Sequence, residues 1–98
     1  EDPFVCAERE LTEETGYVST NIKYLGKIYT TPGFCTELLH IYLATQLTPG
    51  EHNREEGEFG MSVFELTPKE AVRRIMFGDI VDAKTICGLF YYLNRENT

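Results

Sequence analysis

Arg9-Glu10-Leu11-Thr12-Glu13-Glu14-Thr15-Gly16-Tyr17 is the stretch on which the reading of this chain turns. It closes a segment that predicts a helix over residues 2–16. Asp2 is an N-cap type and Pro3 suits the first helical position, where its missing N–H costs nothing. Phe4, Ala7 and Leu11 recur at helical spacing, and Gly16 supplies the stop. The second half of that helix is oddly charged. Glu10 and Glu14 stand four apart and project from one face, with Glu13 beside them. Like charges at this spacing repel, and they lie near the C-terminal end, where the helix dipole already disfavours negative charge. Two readings stand on the residues alone: an ordinary solvated acidic face, or a cation site. Oxygen-only ligands would select a hard ion, Mg2+ or Mn2+.

The rest of the chain alternates strand and helix signals. Residues 22–30 are rich in β-formers, and Thr31-Pro32-Gly33 breaks them. Leu38 to Gln46 predicts a second strand, apolar on both faces and so central in a sheet. Residues 48–58 form a polar, turn-rich loop, and Phe59 to Leu66 a third strand. Thr67-Pro68-Lys69-Glu70 is a capping box opening a helix through Ala71, Val72, Ile75 and Met76, with Gly78 as its stop. A last helix starts near Asp82, with Ala83, Ile86, Phe90 and Leu93 on one face. This order predicts a mixed α/β layer fold.

Composition narrows the function. At 98 residues the chain is one domain at most, and 42% hydrophobic content with six Phe and six Tyr excludes a disordered segment. The formal net charge is −7, and no basic run exceeds Arg73-Arg74. Nucleic-acid backbones and anionic membranes, which need a basic patch, are excluded as partners. A phosphorylated small molecule remains open to an acidic protein if a divalent metal neutralises the local charge. Cys6, Cys35 and Cys87 fit neither a zinc spacing nor a disulfide framework and read as free thiols of a cytoplasmic protein. No apolar run approaches the ~20 residues of a transmembrane helix. His40 and His52 lack partners at ligand spacing and read as non-catalytic. The abrupt start at Glu1-Asp2-Pro3 reads as a chain whose upstream part lies elsewhere.

Residues 1–17 resemble the Nudix box. That pattern runs Gly, five residues, Glu, seven residues, Arg-Glu, an aliphatic, any residue, Glu-Glu, any residue, Gly and an aliphatic or aromatic, and Glu1 and Arg9 to Tyr17 match it. The leading Gly would fall before the first residue. The resemblance implies a Nudix-type α/β/α sandwich with a mixed sheet, of which 1–98 is the C-terminal part, its N-terminal strands not in this chain. It implies that Glu10 and Glu14 coordinate the metal, with Glu13 assisting catalysis as a further ligand or through water. Arg9 and Glu1 would brace the loop-helix-loop by pairing with each other.

Downstream, Pro32 follows Gly16 by sixteen residues, and Thr31-Pro32-Gly33-Phe34-Cys35-Thr36-Glu37 is similar to the Ser-Pro-Gly-x-x-x-Glu stretch of ADP-ribose pyrophosphatases. This places Pro32, Gly33 and Glu37 at the substrate. Glu55-Glu56-Gly57-Glu58-Phe59 resembles that subfamily's acidic loop, with Glu56 as base and Glu58 as metal ligand. The following strand runs one residue longer than usual, so the choice between Glu56 and Glu58 stays open, and Glu55 stays open as the base as well. A plain solvated turn is the competing reading of this loop.

The implied activity is metal-dependent hydrolysis of a nucleoside diphosphate linked to another group, ADP-ribose to AMP and ribose 5-phosphate first among them. The alternatives are a non-catalytic nucleotide-sensing regulatory module and a pyrophosphohydrolase of a different nucleotide sugar or dinucleotide. The resemblance also implies a homodimer in the full-length protein, and activity that depends on the upstream part.

Overall fold

The computed structural model describes residues 2–31, 37–50 and 65–95. The chain divides into two compact units, Glu1–Val63 and Phe64–Thr98. The first holds helix α1 (Pro3–Thr15) and strands β1 (Tyr17–Tyr29) and β2 (Leu38–Pro49); the second holds helices α2 (Pro68–Met76) and α3 (Ala83–Asn94).

Helix α1 begins and ends on the expected residues. The Asp2 carboxylate accepts from the Phe4 N–H at 2.7 Å, which satisfies one of the orphan donors of the first turn. Gly16 adopts the left-handed conformation at φ 80° and donates its N–H to Thr12 O, a conformation that carries a steric penalty for residues with a Cβ.

β1 and β2 form an antiparallel hairpin, paired from Tyr17 opposite Pro49 to Tyr29 opposite Leu38. Both strands are longer than the residue pattern predicts. Ser19, Thr20 and Asn21 precede the predicted 22–30 strand, yet they belong to β1. Ser19 is buried, and its hydroxyl lies 2.6 Å from Thr45 O and 2.9 Å from Asn21 O while accepting from the Asn21 N–H. A side chain thereby serves backbone groups where the strand is irregular. On β2, Gln46 has φ 55°, and its side-chain oxygen accepts from the Thr20 hydroxyl. Between Tyr24 and Gly26 the register shifts by one, leaving Leu25 as the extra residue of a bulge. Leu38 to Ala44 are all half-buried, in line with a strand apolar on both faces. Among the described residues β2 pairs with β1 alone. The expected third strand falls mostly outside the described residues.

In the second unit, Thr67 caps α2 by accepting from the Glu70 N–H at 3.1 Å. The reciprocal half of the capping box gives way to ion pairing. The Glu70 carboxylate instead takes Arg73 Nε at 2.9 Å and Arg74 Nε at 3.0 Å, along with Arg73 Nη2. Two arginines within a turn outbid one backbone amide because charge-assisted bonds are the stronger. Gly78, at φ 85°, ends the helix as expected. Asp82 caps α3, accepting from the Thr85 N–H, the Thr85 hydroxyl and Lys84 Nζ at 2.8–2.9 Å. On the expected apolar face of α3, Ile86 is half-buried while Phe90 is 65% and Leu93 47% exposed; Cys87 and Leu89 beside it are half-buried. Helical period alone could not separate these adjacent faces, because α3 is apolar most of the way round. Cys6 and Cys87 are free thiols. Among the described residues no helix is long and apolar enough to cross a membrane.

The two caps make acid stability specific. Arg73 and Arg74 hold the Glu70 carboxyl down to about 2; Lys84, then Thr85, hold Asp82 down to about 2. The unfolded chain therefore takes up protons at higher pH than the folded one. Stability present above the ordinary carboxylate range is lost as pH falls from there toward about 2. Denaturant midpoints measured between pH 5 and pH 2 should fall with pH, and the slope should flatten in Glu70→Gln and Asp82→Asn. Unchanged slopes would show that neither ion pair is coupled to folding.

Candidate functional site

The acidic end of α1 is built against the dipole. Its last turn carries Glu13 and Glu14 and no basic residue. Two threonines offset this locally. Thr15 Oγ1 donates to Leu11 O at 2.6 Å and accepts from the Tyr17 N–H. Thr12 Oγ1 donates to Tyr17 O at 3.0 Å. These bonds hold the helix end in place without neutralising its carboxylates.

Glu10, Glu13 and Glu14 are all exposed. Arg9 Nη1 pairs with Glu13 at 3.0 Å and its Nη2 approaches Cys6 Sγ at 3.6 Å. With the cation N-terminal to the anion, the Arg9–Glu13 pair has the less favourable orientation for helix stability, and half-exposed pairs contribute at most about 1 kcal/mol. Its consequence is positional: it steers Glu13 toward Arg9 and leaves Glu10 and Glu14 as the neighbouring carboxylates of one face. The expected Arg9–Glu1 brace involves a residue outside the described ones.

Glu10 opens onto a cavity of about 280 Å3 between α1 and β2, walled by Cys6, Ala7, Leu38, His40 and Tyr42. Leu38 follows directly on Glu37, so the structure brings the neighbourhood of Glu37 to the helix face that carries Glu10. Glu37 itself accepts from the Thr30 hydroxyl at 2.9 Å and its carbonyl from the Thr30 N–H, closing the hairpin. Tyr42 stacks edge-on with Phe4 at 6.0 Å and with Tyr24 at 5.3 Å. Burial first, then the negative charge of Asp2, push the Tyr42 hydroxyl above its ordinary value, so it stays a protonated phenol at neutral pH. His40 Nδ1 lies 3.1 Å from Tyr24 Oη.

Pro32, Gly33, Glu55, Glu56, Glu58 and His52 lie outside the described residues. The aromatic wall of Tyr24, Tyr42 and His40 escaped the residue pattern. Its signal was present in the strand pairing, which sets Tyr24 opposite Tyr42. The donor set on α1 is oxygen only and suits Mg2+ or Mn2+. Among the described residues no three acidic, His or Cys side chains converge to enclose an ion, so a full coordination sphere needs ligands from beyond them.

Comparison with known proteins bears on this arrangement. The NUDIX domain model matches residues 1–80. An ADP-ribose pyrophosphatase of Bacillus subtilis is 38% identical over 98 residues, covering 98% of this chain and 52% of that protein. A methanol dehydrogenase activator of Bacillus methanolicus is 41% identical over 98 residues, again covering 98% of this chain and 52% of that protein. A GDP-mannose pyrophosphatase of Escherichia coli O1:K1 is 34% identical over 93 residues, 93% of this chain and 49% of that protein. The chain thus spans about half the length of the curated relatives it matches. A crystal structure of an ADP compounds hydrolase superposes with a TM-score of 0.70 at 23% identity, over 91% of this chain and 48% of its own; this likeness gives the α/β fold.

Proposed function

Because the chain belongs to the Nudix family, we propose that the protein containing it hydrolyses a nucleoside diphosphate linked to another group, with ADP-ribose as the first substrate to test. The observation that carries this reading is the retained acidic set on α1. Glu10 and Glu14 share one exposed face while Arg9 takes Glu13 aside. A module that only sensed nucleotides would gain nothing from keeping such repulsion at the wrong end of a helix dipole.

In this reading Glu10, Glu14 and Glu58 hold Mg2+ or Mn2+. The bound metal supplies charge neutralisation at the phosphates and a more acidic water. Glu56 accepts the proton of the attacking water, with Glu55 as the alternative base. Glu13 assists from its place beside Arg9. Pro32, Gly33 and Glu37 line the substrate. Water adds to one phosphorus, the bridging P–O bond breaks, and ADP-ribose leaves as AMP and ribose 5-phosphate.

The full-length protein should be incubated with Mg2+ and a panel of ADP-ribose, GDP-mannose and dinucleotides, with products separated by chromatography. Equimolar AMP and ribose 5-phosphate is the expected result for ADP-ribose. Turnover of GDP-mannose alone would move the substrate within the same chemistry. Absence of any product would return the chain to the regulatory reading, which its 41% identity to a methanol dehydrogenase activator also favours.

A further inference from the structure

Thr12 and Thr15 flank Glu13 and Glu14 at the end of α1. Helical spacing sets the two threonines on one side of the turn and the two glutamates on the other. In keeping with this, both threonines are half-buried and both glutamates exposed. The threonine hydroxyls converge on a single residue past the helix end. Thr15 Oγ1 accepts from the Tyr17 N–H at 3.1 Å and donates to Leu11 O at 2.6 Å. Thr12 Oγ1 donates to Tyr17 O at 3.0 Å, its approach to Glu8 O being longer at 3.4 Å. Strand pairing explains why Tyr17 needs both. Gly50 donates its N–H to Gly16 O at 2.7 Å, and Tyr17 stands opposite Pro49, which makes Tyr17 and Pro49 an antiparallel pair of the non-hydrogen-bonded kind. The Tyr17 N–H and C=O therefore point away from β2, and the two threonines take one each. The first residue of β1 is thus bolted to the inner side of the turn whose outer side carries the acids.

We propose that Thr12 and Thr15 are positioning residues that hold Glu14 as a metal ligand. They fill the two positions of the box that accept any residue. This rests on the metal-dependent reading above. Held only by its own bonds, the last turn of α1 would fray. Its final carbonyls have no partners within the helix. Its acids repel one another and oppose the dipole, with no basic residue in that turn to offset them. Mg2+ demands near-ideal octahedral geometry, so a carboxylate on a fraying turn serves it poorly. The threonines fix the turn through backbone bonds and leave the carboxylates facing outward.

Mn2+ binding to the full-length protein, read by electron paramagnetic resonance without substrate, tests this alongside melting temperature. Thr15→Val keeps the β-branched shape and removes the hydroxyl. It should weaken Mn2+ binding roughly tenfold, the lower end of what losing a ligand's supporting bonds costs a metal site. Thr15→Ser keeps the hydroxyl and should bind as the unaltered protein does. Thr12→Val leaves the Thr15 bonds in place and should weaken binding by less; it carries the test if Thr15→Val does not fold. Thr67→Ala removes the cap of α2 and should lower the melting temperature while leaving Mn2+ affinity unchanged. Unchanged affinity in Thr12→Val or Thr15→Val, beside a weakened Glu14→Gln, would overturn the positioning role and leave Glu14 standing as a ligand. So would a loss that Thr15→Ser does not rescue, or one that Thr67→Ala reproduces. Full affinity in Glu14→Gln, or no Mn2+ bound by the unaltered protein, would overturn the ligand reading along with it.

Discussion

Glu56→Gln in the full-length protein is expected to lower kcat by about 10²–10⁴-fold, the usual loss on removing a general base, with KM moving only a few fold. A base acts as the proton leaves in the transition state, whereas substrate binding in the ground state rests on metal and phosphate contacts. Raising Mg2+ should not rescue the variant. The pH profile is a second readout: the acid limb of kcat should disappear if Glu56 is the group whose ionisation it reports. If Glu55→Gln shows this behaviour and Glu56→Gln does not, the base is Glu55, and the register of the loop is off by the extra residue in the strand that follows. Near-normal turnover in both would reduce the loop to a solvated turn.

The second large effect belongs to the helix. Glu14→Gln should shift the Mg2+ dependence to higher concentration, so that added metal recovers part of the lost rate. Losing a charged oxygen ligand weakens a hard-ion site without altering the proton transfer. Glu10→Gln should do the same, and Glu58→Gln as well if it completes the coordination. Glu13→Gln should differ: Arg9 holds Glu13 at 3.0 Å, so the first consequence is the loss of that ion pair and not of a metal ligand. Titrating activity against Mg2+ separates these variants. A Glu14→Gln curve that falls in height without moving along the metal axis would mean that Glu14 is not a ligand.

Much of the fold was legible where a residue type has one physical use. Asp2 before Pro3, Gly16, Thr67 before Pro68, Gly78 and Asp82 each mark a helix end, and each stands there in the structure. The strands were legible only in their apolar middles. Their outer ends are held by pairing between segments far apart in sequence, which local preference does not encode. Ser19 and Leu47 are examples, since both lie beyond the predicted strands and pair with each other in the ladder. The exposed and half-buried sides of α3 could not be told apart because both are apolar. In the site, the shared face of Glu10 and Glu14 follows from helical spacing alone. The Arg9–Glu13 pair is also an i, i+4 pair, and spacing could have flagged it. The backbone bond from Gly50 to Gly16 could not have been found that way, as it exists only once the hairpin has formed.

The bulge at Leu25 bears on how this lineage can change length. Past it, the two strands meet one residue out of step, so Lys27 faces His40 and Ile28 faces Leu39. The interval from Gly16 to Pro32 (32 − 16 = 16) counts that extra residue. Deleting it would restore an unbroken ladder with the same partners, so every side chain from Gly26 to Tyr29 would keep its face. Loss of a single residue is thus absorbed at Leu25, whereas a loss at a paired position of β1 slips the register and turns the following side chains to the other face.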